Sequence, residues 1–199
     1  MLRLTFGIGT VVVLSWLWPD GHAWLAYDRS AIAAGEFWRL LTGHLCHASG
    51  AHLGWNLAAF ICLSSWLERS EGRRLPILLS AFALGTGIAL FAFTPKVGVY
   101  VGLSGLNTAL TVYLLTTLLV RESGWRRGTA ATLLLAAGAK LVFEKNGEAF
   151  IFVPAIHGWA PLPEAHMAGA VVGLILATAL VTRDFVRTYS EIRTRLPST

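Results

Sequence analysis

Charge is what this sequence has least of. Of its 199 residues only 14% are charged, where a soluble domain carries about 25%. The shortfall excludes an ordinary solvated globule, and it also excludes a disordered chain kept open by its own ions. Cysteine is nearly absent: Cys46 and Cys62 are the only two, which excludes a disulfide-built scaffold. Along a helix their spacing amounts to roughly 24 Å, too far for a bond, so both are expected as free, buried thiols. Acidic residues are scarcer than basic ones, 11 against 16. That excess gathers into no patch or stripe, which argues against a nucleic-acid partner.

What is present is apolar. Hydrophobic residues make up 55% of the chain, mean hydropathy is +0.60, and there are eight tryptophans. Tryptophan favours the membrane–water boundary, so the composition predicts a multi-pass membrane protein. Six apolar runs are expected as spans: residues 2–18, 52–67, 75–93, 102–120, 128–143 and 164–182, with a basic tail over 183–199. Several fall at or below the ~20 residues a bilayer wants, so some ends must extend into polar turns. The first run also has the form of a secretory signal peptide, with Arg3 before it and the small-residue exit Gly21-His22-Ala23 after it. Its length and the pair Trp16 and Trp18 favour a retained span.

Loop charge orients these spans. Eleven of the sixteen basic residues lie at the amino end, in the 2–3 and 4–5 loops and in the tail, and five lie in the opposite set. Basic loops stay in the cytoplasm, so both termini are expected there. Spans two, four and six then run inward from the outer face.

Polar groups within spans are costly and default to functional suspects. "HLCHASGAHLGWN" opens span two and carries His44, His47, His52 and Asn56. "YVGLSGLNTAL" opens span four with Ser104, and "PEAHMAGAVVG" opens span six with His166. All three openings fall at one depth, near the outer face. His52 and Asn56, four apart, share a helix face. His166, Gly169, Ala170 and Gly173 form a stripe, and Gly-x-x-x-Gly lets helices approach closely. Such contact would bring Ser104 to His166. An imidazole that takes the serine proton is the minimum apparatus for nucleophilic catalysis. Unpaired N–H groups at the start of a helix suit a developing oxyanion, with His52 and Asn56 as further donors. Each residue has a plainer reading as well: Ser104 as helix packing, His166 as a helix cap, Asn56 as interhelical glue. Their shared depth favours function. The three histidines of the first motif lack a completing carboxylate or thiolate, which argues against metal. His47 reads as tethering its loop and His44 as exposed.

On "FWRLLTGHLCHASGAHLGWNLAAF", "YVGLSGLNTAL" and "EAHMAGAVVGLILA", in this order from about residue 37 to 180, the chain resembles the rhomboid intramembrane serine proteases. The resemblance implies an all-α, six-helix membrane bundle and a Ser–His dyad without the usual acidic third member. It implies Ser104 as nucleophile, His166 as general base, and His52 and Asn56 beside the oxyanion. No metal or organic cofactor is implied. The partners implied are transmembrane protein substrates and the lipid bilayer, with the site toward the outer side of a bacterial inner membrane. "KLVFEKNGE" and "LPEAHMAG" are more specifically similar to the rhombosortase branch, whose members are thought to process proteins at a carboxy-terminal Gly-Gly motif followed by an anchor helix and basic tail. The chain departs from the family pattern at Thr108, where a ring is often found, with Asn107 beside it. Either could hydrogen-bond His166. His44 also stands one residue closer to His47 than its counterpart in other members, so no role is carried over to it.

Three features outside these motifs complete the reading. The long connection around Trp38-Arg39 is expected in the outer interface, as brace or as substrate gate. Lys140 and Glu144, four apart, are expected as a local ion pair. The 5–6 loop, with Phe150, Phe152, His157 and Trp159, has the composition of an apolar cover over the site. A rhomboid-like protein that escorts client helices without cutting them is the rival from another class. A transporter would want ionisable groups spread through the spans.

Overall fold

A computed structural model describes residues 2–146 and 162–195. The apolar runs form α1 (Arg3–Leu17), α5 (Gly50–Glu71), α6 (Leu75–Phe93), α7 (Ser104–Arg121), α8 (Gly124–Lys145) and α9 (Pro163–Arg195). Between α1 and α5 lie the short helices α2 (Gly21–Leu25), α3 (Arg29–Ala33) and α4 (Arg39–Thr42). The expected cover between spans five and six lies outside the described residues.

Among the described residues two stretches are long and apolar enough to cross a membrane: Gly50–Phe93, which holds α5 and α6, and Pro163–Glu191. Arg3–Leu17 is apolar but shorter. The helix α9 outruns the expected span, because residues of the basic stretch pair along it, Arg187 with Glu191 at 2.9 Å, and carry the helix on to Arg195.

The helix α7 is the axis of the bundle, with ten of its residues buried, among them Leu106, Leu110 and Tyr113. Phe60 from α5, Phe82 from α6 and Ala177 from α9 close on it with no exposure. The helix α1 lies on α5, where Thr5 donates from both its N–H and its hydroxyl to the Glu68 carboxylate. The outlying helix is α8: among the described residues it buries only Ala130 and Glu144. Leu135, Val142 and Phe143 stand exposed on it.

The connection from α1 to α5 is folded. Arg39, buried, donates to the carbonyls of Ala23 and Ala26 at 2.8 and 2.9 Å and pairs with Glu36 at 2.6 Å. Strand β1 (Tyr27–Asp28) pairs antiparallel with β2 (Val99–Tyr100), Tyr27 opposite Tyr100. Gly87 admits α4 onto α6, since a β-carbon there would stand 2.1 Å from the Leu40 carbonyl oxygen. These contacts stitch the connection to α6 and to the turn that enters α7.

Candidate active site

The helices α5, α7 and α9 all begin at the same end of the bundle, and their first turns meet. Ser49 caps α5, its hydroxyl accepting from the His52 N–H at 3.1 Å. An N-cap bond of this kind fixes the first turn, and so fixes where His52 and Asn56 point. Both converge on Gly102: a β-carbon there would stand 2.7 Å from His52 Cε1 and 3.5 Å from Asn56 Nδ2. With φ at +116°, Gly102 occupies backbone space that other residues avoid. Two residues later α7 starts at Ser104 with no side-chain cap, so its first N–H groups are left unpaired by the helix itself.

Each side chain at this end is oriented by another. The Ala48 N–H donates to His52 Nδ1 at 3.4 Å, which leaves Nε2 as the protonated, donating nitrogen of a neutral ring. Asn107 Nδ2 donates to the Asn56 carbonyl at 2.9 Å and to Asn56 Oδ1 at 3.4 Å. With its oxygen engaged, the Asn56 amide turns its NH₂ toward Gly102. Tyr100 donates from its hydroxyl to the Gly102 carbonyl at 2.5 Å and accepts from the Gly105 N–H at 3.2 Å. The turn ahead of Ser104 is therefore held from both sides.

The helix α9 brings His166. Gly105 and Gly169 bear no side chains because none would fit: a β-carbon on Gly105 would stand 2.9 Å from the Ala165 carbonyl oxygen, and one on Gly169 would stand 2.0 Å from that of Gly105. Ser104 and His166 are the chain neighbours of these contacting residues. Among the described residues no hydrogen bond joins the Ser104 hydroxyl to the His166 ring; the two helix starts meet through their backbones.

The His166 ring is engaged on its other nitrogen. Nδ1 lies 2.7 Å from Glu144 Oε2, and both residues are 6% exposed. Lys140 Nζ donates to the second oxygen of the same carboxylate at 2.6 Å. The local Lys140–Glu144 pair expected on α8 is thus present, but it extends inward to His166. The expectation of a histidine with no acidic partner is corrected by this contact. The two candidates to bond His166 donate elsewhere, Asn107 Nδ2 to Asn56 and Thr108 to the Ser104 carbonyl at 2.9 Å. Glu144 escaped the sequence reading because its spacing from Lys140 already satisfied it locally.

The remaining histidines part ways. His44, expected as exposed, is buried at 2%: its Nε2 donates to the Ala83 carbonyl of α6 at 2.9 Å. Its ring meets Tyr100 edge to face, so it buttresses the entry to α7. His47 is buried with its ring edge-on to His52, centroids 5.1 Å apart. Its carbonyl accepts from His22 Nε2 at 2.7 Å, which ties the loop to α2. Cys46 is buried as expected, whereas Cys62 is exposed on α5. Among the described residues no three His, Cys, Asp or Glu side chains gather as a metal site.

The class defined so far is an integral membrane bundle with a serine, two histidines, an asparagine and a buried carboxylate gathered at one end. A family model for the Rhomboid domain matches residues 34–183, and the chain belongs to the rhomboid family. Over 72 residues, 35% of this chain and 14% of the relative, it is 43% identical to the "Rhomboid protease GluP" of Bacillus subtilis (strain 168). Over 80 residues, 40% of this chain and 43% of the relative, it is 35% identical to the "Putative manganese efflux pump MntP" of Bacillus cereus (strain AH187). These matches span well under two thirds of either relative.

Proposed function

We propose that the protein is an intramembrane serine endopeptidase in which Ser104 is the nucleophile, His166 its general base, and His52 and Asn56 donors to the oxyanion. The observation that carries this reading is the contact of α7 with α9 at Gly105, Ala165 and Gly169, which sets the starts of those helices against each other while α5 supplies two donors at Gly102. A substrate helix unwinds locally, because intact helices hide their carbonyls in hydrogen bonds. Ser104 Oγ bonds to the exposed carbonyl carbon as its proton passes to His166. The anion is held by the Ser104 N–H, His52 and Asn56. The C–N bond then breaks, the amine leaving with the proton from His166, and water hydrolyses the acyl-enzyme by the same route.

The substrates we infer are membrane-anchored proteins cut near the outer face, at a Gly-Gly segment ahead of an apolar helix and basic tail. Glycine weakens a helix by about 1 kcal/mol, which eases the unwinding. Six crossings of a bacterial inner membrane, with both termini cytoplasmic, fit the charge asymmetry of the loops. The rival reading, a rhomboid-like protein that binds client helices without cutting them, leaves the matched donors at Gly102 without purpose. The test is fluorophosphonate labelling of the full-length protein in detergent together with cleavage of an anchored Gly-Gly reporter. Ser104→Ala and His166→Ala should each abolish both. Labelling that survives either change would overturn the assignment, and a folded wild type inert in both assays would favour the escort.

A further inference from the structure

We propose that Glu144 completes a relay with His166 and Ser104, as the positioning residue that keeps the His166 ring protonated at Nδ1 and its Nε2 free for the serine proton. This rests on the function proposed above. The contact alone would also fit a structural ion pair, but three observations favour a role in the reaction.

First, α8 buries almost nothing. A surface Lys–Glu pair four residues apart stabilises a helix without being buried, and burying a carboxylate is costly unless its oxygens are engaged. In α8 the carboxylate is one of two residues buried among those described, and each of its oxygens has a partner, Lys140 on one and His166 on the other. Second, the side chains that stood closest to a claim on the ring bond elsewhere, Asn107 Nδ2 to Asn56 and the Thr108 hydroxyl to the Ser104 carbonyl. Third, an ionised carboxylate only accepts. Its bond to Nδ1 therefore selects the Nδ1–H tautomer, which leaves a lone pair on Nε2.

Ser104 Oγ–H gives its proton to Nε2 while the new O–C bond forms; Nδ1–H stays on the ring throughout and remains donated to Glu144. The imidazolium so created is buried, and the adjacent carboxylate makes it half of an ion pair. Nε2–H then passes to the departing amine, and the ring is again neutral in its original tautomer. Glu144 touches neither substrate nor reacting atoms, and Lys140 holds the carboxylate without touching the ring.

Two measurements on the full-length protein test this. Histidine labelled with ¹⁵N, the His166 signals assigned by their loss in His166→Asn, should show Nδ1–H as the single neutral tautomer in the wild type and a mixture in Glu144→Gln. Fluorophosphonate labelling of Glu144→Gln should fall in maximal rate by ~10²–10⁴-fold, with little change in the probe concentration giving half that rate. Glu144→Asp should recover part of the rate. A wild-type ring protonated at Nε2 overturns the proposal even if no Glu144 variant folds, as does a folded Glu144→Gln labelled at the wild-type rate. A wild type whose labelling ignores Ser104 and His166 instead sinks the function on which the proposal rests.

Discussion

Gly169 lies against Gly105 so closely that a methyl group on its α-carbon would stand 2.0 Å from the Gly105 carbonyl oxygen. One turn on, a methyl on Gly173 would stand 2.3 Å from the Ala109 carbonyl oxygen. Backbone is what would be struck, so neither clash is relieved by a side chain moving. Gly169→Ala and Gly173→Ala should each destabilise the bundle by at least about 1–3 kcal/mol, read as a lower midpoint of thermal unfolding in detergent. Gly128 and Gly138 on α8 have open space at the same position. Alanine there should be neutral or stabilising by up to about 1 kcal/mol. Equal effects at all four sites would contradict the packing described for α7 and α9.

That contrast shows what the sequence could and could not reveal. The stripe from His166 through Gly173 was legible because small-residue spacing is a local signal, and the apolar runs were legible because each helix is written in consecutive residues. The pocket was legible in part, since Ser104, His166, His52 and Asn56 open helices that charge alone had set in one direction. Glu144 was not. Which face of α8 meets α9 depends on tertiary packing, and a carboxylate with a lysine one turn away asks for nothing more. Arg39 was ambiguous for the same reason: its partners are the carbonyls of Ala23 and Ala26, and backbone acceptors leave no trace in a sequence. His44 looked exposed because a histidine in a polar turn carries no mark of the Ala83 carbonyl waiting on another helix.

Asn107 should matter through Asn56. Asn56→Ala removes a donor aimed at Gly102 and should lower the maximal labelling or cleavage rate by ~10²–10³-fold, the effect of losing one oxyanion donor. Asn107→Leu leaves that donor present but unheld, and a smaller loss, on the order of tenfold, is expected. In the double variant the losses should be less than multiplicative, because the Asn107 bond to Asn56 Oδ1 is gone while its 2.9 Å bond to the Asn56 backbone carbonyl stays. Fully multiplicative losses would mean that Asn107 has a separate task.

Gly102→Ala should fail for two reasons. Its φ of +116° is one that residues with a β-carbon rarely adopt, and the new methyl would press on the His52 ring at 2.7 Å. Activity should be lost almost completely. Adding His52→Ala relieves the second fault but not the first, so the double variant should unfold at a higher temperature than Gly102→Ala and remain inactive. A fully active Gly102→Ala would show that the turn ahead of Ser104 is looser than its contacts describe.

Cys46 should be chemically silent. It is 1% exposed, and burial pushes its thiol up to about 11, with the nearby Arg39 charge opposing that only weakly. The thiolate is the reactive form, so at pH 8 roughly one molecule in 10³ carries it. A water-soluble maleimide should leave Cys46 unmodified over hours at pH 8 in the folded protein and react promptly once the chain is unfolded in detergent and urea. Raising the pH to 9.5 should speed the folded-state reaction in proportion to the thiolate, by roughly 30-fold. Prompt modification of folded protein at pH 8 would mean that the turn from α4 to α5, and with it the cap on His52, opens readily.

The two ends of the bundle differ in charge, and that difference sets the last expectation. At the end opposite Ser104, Arg121 meets both Glu71 and Asp184, Arg74 meets Glu71, and Tyr113 donates to Glu71. The 2–3 and 4–5 loops with the tail of α9 hold the surplus of arginine there. Moving such charge across a membrane is what orients a multi-pass chain, so this end should be cytoplasmic and the pocket should face outward. In a bacterial host, fluorescent-protein fusions after Arg121 or at the carboxy terminus should glow, and alkaline-phosphatase fusions after Thr94 should be active. Exchanging Arg73 and Arg74 for Gln should weaken that preference without unfolding the bundle, because Glu71 keeps Arg121 as a partner. Phosphatase activity from fusions beyond Arg121 would turn the protein over, and would put Ser104 and His166 on the cytoplasmic side.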